Sequence, residues 1–283
     1  MLKAVRQVRA ALSLLNPEEV RKLAERQITI GLVAASDRGY RELETFLMLE
    51  PPSQETRPSS LGNVYRAGQP DVPPQVDLVL YEHGLACPAG AFRYRRDEEG
   101  ATIAEILKAR DDLALPLARH FPVFRRPVVE GLIHSVSREN ALFAIATALP
   151  NVMPSLFELP WALGEFASDT AFLTANQIRM AFQIAAVCGA EVGFSHQKAE
   201  ILSIGAGAFG WRALARELAG KIPLGGGLIP KGAIAYAGTF LIGKGLEHYH
   251  HANVAYTAGE REEVYQEALE RGRSVVESVS REA

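Results

Sequence analysis

Residues 28–43 read ITIGLVAASDRGYREL. The first eight are a short apolar run rich in β-branched side chains, which predicts a buried strand. From Arg38, residues Leu43, Phe46 and Leu47 fall at helical spacing and predict a helix to Leu49. Strand, tight turn and helix together open an α/β nucleotide-binding unit. A phosphate loop would then need G-x-x-x-x-G-K-[ST] directly after the strand. In that register Ala34 takes the first glycine position and Gly39 the second, Tyr40 stands in the lysine position and Arg41 in the Ser/Thr position. A lysine would neutralise phosphate charge and a hydroxyl would ligate magnesium, and Tyr with Arg cannot do both. Ala34, Ser36, Arg38, Gly39, Tyr40 and Arg41 therefore mark a degenerate phosphate-loop position.

Outward from this stretch, Val76–Glu82 (VDLVLYE) predicts a second strand. It runs into LYEHG, with Tyr81 where a magnesium-holding Asp belongs, Glu82 as a displaced carboxylate and Gly84 as turn glycine. Val64–Arg66 and Phe92–Arg96 predict shorter strands, and 51–74 is a proline-rich loop. No guanine-reading NKxD follows. Upstream, Leu2, Val5, Val8, Leu12 and Leu15 predict a basic amphipathic helix, and Asn16-Pro17 starts another. Arg6, Arg9, Glu18 and Glu19 interrupt any signal-peptide core. A helix over 102–120 is expected to kink at Pro116.

From Pro122 the pattern turns helical: 127–148, 170–189, 196–220, 231–250 and a charged, solvated amphipathic helix over 260–279. The chain has 283 residues, of which 22% are charged, yet residues 140–259 hold seven acidic and seven basic residues in all. That block is the apolar heart of the protein. Its last part, IPLGGGLIPKGAIAYAGTFLIGKGLEHY (222–249), reads as a glycine-rich corner and a smooth small-residue helix built for close packing. Gly225, Gly226, Gly227, Pro230, Gly238, Thr239 and Gly243 are the packing or interface positions. The smooth face predicts a tight partner helix from 180–190 or 201–215. Every apolar run is shorter than the twenty or so residues a membrane-crossing helix needs.

Net charge of −3 leaves no nucleic-acid footprint. Cys87 and Cys188 are isolated thiols without metal spacing. His248, His250 and His251 with Glu247 have some metal-ligand character, but a polar helix end accounts for them. Asp169, Asn176 and Arg179 read as a structural polar network. No G-x-S-x-G elbow accompanies His134 and Ser135. No metal site, cofactor or catalytic residue is assigned.

The connector Phe121-Pro122-Val123-Phe124-Arg125, then Leu132-Ile133, then Glu139-Asn140-Ala141, resembles that of bacterial GTPase-associated proteins with a YcjF-like helical domain of unknown function. The proline, glycines, Thr239-x-x-Ile242-Gly243 and terminal aromatic of 222–249 match the same pattern, over about 116–250. The resemblance implies an α+β chain: a small P-loop-like α/β unit with N-terminal amphipathic helices (1–115), an all-α apolar domain (116–255) and a charged C-terminal helix (256–283). It implies a bacterial cytoplasmic protein, peripheral to or integral in the inner membrane. The expected role is non-catalytic: contact with membrane lipid, a membrane protein or further copies of the chain as a homo-oligomer, with no nucleic acid. The alternative is a nucleotide-responsive GTPase-like protein with an atypical phosphate loop.

Overall fold

The structure is a computed structural model and describes residues 15–49, 62–70, 73–147, 169–204 and 228–282. The described chain is mostly helical with one small parallel sheet, an α+β composition. Its contacts divide it into two compact units. One comprises 21–130 with 186–190, and the other comprises 1–20, 131–185 and 191–283. The expected N-terminal helix over 2–15 lies almost wholly outside the described residues.

In the first unit, β1 (Ile30–Val33) is central. It pairs in parallel with β2 (Val64–Arg66) on one side and β3 (Leu78–Tyr81) on the other, and β3 pairs with β4 (Phe92–Arg93). Ile30 faces both Val64 and Leu78 in register. Ile30, Leu32 and Leu80 are wholly buried, because alternate side chains of an inner strand point at the packed face. The chain moves from β1 outward to β2, returns past β1 to β3, and continues to β4. The strand order β2-β1-β3-β4 thus reverses direction between β1 and β3.

Helix α1 (Pro17–Glu25) opens with proline followed by Glu18 and Glu19, a favourable first turn. Helix α2 (Asp37–Met48) follows β1 directly and buries Leu43, Phe46 and Leu47. Helix α3 (Glu99–Ala109) and α4 (Ala114–His120) are separated by a 3-10 turn at Asp111–Leu113. The break thus falls upstream of Pro116, not at it. Pro116 sits in the first turn of α4, where its missing N–H has no partner to lose.

The helical unit contains most of α5 (Arg125–Ala146), α6 (Asp169–Val187), a helical stretch at 198–204, α7 (Leu228–Ala252) and α8 (Ala258–Glu282). Glycines set the distances. A Cβ on Gly232 would lie 2.7 Å from Val276 of α8 and 2.9 Å from Ile145 of α5. One on Gly243 would lie 2.7 Å from Ile133 of α5 and 3.2 Å from Met180 of α6. Gly272 of α8 returns the favour, its missing Cβ leaving 2.9 Å to Ala233 O. Gly238 and Thr239 are buried in the same helix. Pro230 lies in the first turn of α7, and Gly225–Gly227 lie outside the described residues.

The tight partners of α7 are therefore α5, α6 at Met180, and α8. Helix α8 is amphipathic, as expected, and buries Tyr265, Ala268, Gly272 and Val276. Their spacing of three to four residues makes a narrow apolar stripe inside a charged sequence. A buried polar network crosses the unit: Asn140 Nδ2 donates to Thr239 Oγ1 (2.8 Å), Asn176 Nδ2 to Asn140 Oδ1 (3.0 Å) and Gln177 Nε2 to Thr239 Oγ1 (3.1 Å). Arg179 pairs with Glu139 at 2.9 Å. Among the described residues, no helix is long and apolar enough to cross a membrane.

Candidate functional site

A doubly wound sheet binds ligands outside the carboxyl ends of its strands, where the order reverses. Here that crevice lies between the ends of β1 and β3, beside the N-terminus of α2. The first four N–H groups of a helix lack intrahelical partners and, with the helix dipole, attract anions. Ser36 is extended and its hydroxyl accepts from Gly39 N at 3.2 Å, which makes it the N-cap. The Ala35 N–H donates to Glu82 Oε2 at 2.7 Å. Glu82 leaves β3 with its own N–H on Val33 O at 2.8 Å, so the strand ends aim its carboxylate at the helix start.

Gly39 is buried beneath this carboxylate, and a Cβ there would overlap the Glu82 carboxyl group. The recess a phosphate would enter thus holds an acidic side chain of the chain itself. An incoming anion would meet like charge and would have to displace a charge-assisted hydrogen bond.

The other expected residues are dispersed around this point. Ala34 is half-buried, and Arg38 and Arg41 are exposed. Tyr40 lies under Arg66, whose guanidinium carbon is 5.2 Å from the ring centroid, and its hydroxyl donates to Ala67 O at 3.4 Å. Arg66 itself is committed: it donates to both oxygens of the buried Glu44 at 3.0 and 3.1 Å and approaches Asp37 at 3.4 Å. Arg96 is held by Glu42, whose carboxyl it keeps below the usual range.

On the other side of β1, the segment Tyr65-Arg66-Ala67-Gly68 leaves β2 in a turn whose Gly68 has φ +86°, a conformation glycine adopts without strain. These four residues include no carboxylate.

A second recess lies in the helical unit. It has a volume of about 400 Å³ and is lined by Glu200, Ile204, Leu241, Ile242, Leu246 and Tyr256 among others. The histidines near it do not converge. His248 stacks on Tyr256 at 4.4 Å between centroids, His251 Nδ1 is 2.8 Å from Glu247 O, and His250 Nε2 approaches Glu200 Oε1 at 3.6 Å. Among the described residues no group of three or more His, Cys, Asp or Glu side chains is placed to hold a metal.

Sequence reasoning passed over Glu200 entirely, because nothing near it along the chain distinguishes it from a surface acid. Glu82 carried a usable signal, an acidic residue at the end of a buried strand. No protein-family model matches the chain, and neither a curated protein nor a solved structure matches it significantly.

Proposed function

We propose that the chain is a non-catalytic protein related to GTPase-linked bacterial proteins with a YcjF-like helical domain. In this reading the nucleotide unit has decayed into a scaffold, and the helical unit acts by contact with a membrane surface or with copies of itself. The observation that carries it is the Glu82 carboxylate on the α2 N-terminus, where a phosphate would bind. The parallel order β2-β1-β3-β4 supports descent from a nucleotide-binding ancestor. Tyr40, Arg41 and Tyr81 in the lysine, hydroxyl and carboxylate positions support the loss of its chemistry.

Contact as the mode of action draws on two features. Residues 140–259 carry charge at about half the density of the whole chain, and Phe194, Leu202, Tyr249 and Val254 of the helical unit are exposed at 41–64%. Exposed apolar side chains favour adhesion. Calorimetry with GTP, GDP and ATP in the presence of magnesium tests the first half: no binding tighter than roughly 1 mM is expected, and micromolar affinity would replace this reading with a nucleotide-responsive one. Flotation with liposomes and sedimentation at several concentrations test the second half. A monomer that ignores vesicles would end it.

A further inference from the structure

The helical stretch at 198–204 lies beside α7 with an acid turned in and a leucine turned out. Gln197 and Ile204 are buried, Glu200 and Ile201 are half-buried, and Lys198, Ala199, Leu202 and Ser203 are exposed. The inward stripe thus runs 197, 200, 201, 204, a helical spacing with a carboxylate at its centre. Leu202, two residues beyond that carboxylate, faces water at 64% exposure. Burying an acid and exposing a leucine each cost free energy.

No partner offsets the burial of Glu200. Its Oε1 is 3.6 Å from His250 Nε2, too far for a hydrogen bond. Glu200 Oε2 and His250 Nε2 are closed to solvent without a hydrogen-bond partner, which is rare for buried polar atoms. The other polar groups facing Glu200 are Tyr249 of α7, Tyr256, and Arg261 of α8, which line the recess beside it. None of them shifts its carboxyl: burial pushes it up to about 7. Lys244 is taken by Glu247. His250 is held below its usual range by burial and then by the neighbouring His251.

Gln197 pins the stretch in this position. Its Oε1 accepts from Gly193 N and its Nε2 donates to Glu191 O, both at 2.9 Å. The contact with α7 is otherwise incomplete. A recess of about 400 Å³ separates Ala199, Ser203 and Ile204 from Leu241, Ile242 and Leu246. A close-packed interior resists the turning of a helix, and this space permits it.

We propose that 198–204 is a helix with two positions, exchanged by a roll of about 100°, one residue of helical rotation. The roll sets Ile201 in the seat of Glu200 and Leu202 in the seat of Ile201. It brings Ile204 to where Ser203 lines the recess, and carries Glu200 out to the exposed place of Ala199. The first position keeps the Gln197 hydrogen bonds, and the second buries Leu202 and returns the carboxylate to water. Rising pH selects the second. A carboxyl that titrates near 7 in its seat and near 4.5 in water gives up its proton on rolling out. The ratio of the two positions therefore shifts about ten-fold between pH 6 and 8. His250 is covered by Glu200 in one position and by Ile201 in the other, so it gains no charge in the exchange. One consequence rests on the contact reading above: the roll withdraws Leu202, the most exposed large apolar side chain among the described residues, and so turns that contact off.

Methyl NMR of the full chain with a soluble paramagnetic probe tests the roll without any partner present. Relaxation of the Leu202 methyl groups by the probe should fall at least about two-fold from pH 6 to pH 8, and that of Ile201 should fall with it. Glu200→Gln should keep Leu202 exposed at both pH values. Gln197→Ala should lower Leu202 relaxation already at pH 6. Leu202 exposure that stays constant, that rises with pH as it would if the stretch detached, or that falls equally in Glu200→Gln would overturn the proposal. If Glu200→Gln does not fold, the wild-type and Gln197→Ala profiles decide it alone. A failed roll leaves the contact reading standing, since vesicle flotation and sedimentation decide that separately.

Discussion

Glu82 and Glu200 are both carboxylates set into recesses, one at the edge of the sheet and one among the helices, and their surroundings differ in kind. Glu82 meets the Ala35 N–H and the positive end of α2, and glycine at position 39 makes room for it. Glu200 meets apolar side chains and a neutral imidazole, and glycine at position 245 leaves the space beside it empty. The first carboxylate is answered by a backbone donor and a helix N-terminus, and the second is set by burial. Two acidic side chains of one chain can therefore carry opposite electrostatic balances.

The strongest way to sharpen this contrast is through pH. The folded Glu200 carboxyl titrates near 7, above its ordinary value of 4.5, so the folded state holds a proton that the unfolded chain has already released. Stability linked to this group is fully present below about 4.5, is lost as pH rises toward 7, and stays lost above it. Glu200→Gln removes that loss. Its stability relative to wild type should rise across this window by roughly 2–3 kcal/mol, at about 1.4 kcal/mol per pKa unit, measured as urea midpoints at pH 4.5 and 8. His250 has the opposite sign below its ordinary pKa, but it is present in both proteins and largely cancels in the difference. A gap that does not change with pH would mean that Glu200 is not buried as described.

The next effect compares two glycines two residues apart on α7. Gly243→Ala would push a Cβ to 2.7 Å from Ile133 and should cost about 1–3 kcal/mol. Gly245→Ala meets nothing and should gain about 0.5–1 kcal/mol from helix propensity. Thermal unfolding of the two variants should move in opposite directions.

The smallest expected effect tests the filled recess. Gly39→Ala forces Glu82 away from Ala35 and should cost about 1 kcal/mol in wild type. In a Glu82→Ala background the same change should become neutral or stabilising, because the obstacle is gone. A double-mutant cycle that shows no coupling would break the link between these two residues.

Much of the fold was legible because its signals are local. The β-branched run at 28–35 and the apolar spacing of Leu43, Phe46 and Leu47 predict β1 and α2 within two residues of their ends. The helices at 125–146, 169–187 and 228–252 were equally readable from periodicity. Pro116 misled because proline breaks a helix interior but suits a first turn, and only the structure shows which position it holds. Strand β2 gives a weak local signal because it is three residues long and lies after a proline-rich loop. The Glu200–His250 pair is fifty residues apart in sequence, and its burial is a tertiary property that no local pattern encodes.

The two notched glycines of α7 also act as a ruler. Gly232 and Gly243 are eleven residues apart, just over three full turns, so they stand close to one line roughly 16 Å apart. Their partners on α5, Ile145 and Ile133, are twelve residues apart, roughly 18 Å, and are met in reverse order. Two antiparallel helices are thus gauged at two points. Helix α7 is apolar around most of its circumference, so hydrophobicity alone would let it slide or roll. A slip of one turn would set an isoleucine against a residue with a full side chain at both gauge marks, and axial alignment follows from the absence of two methyl groups.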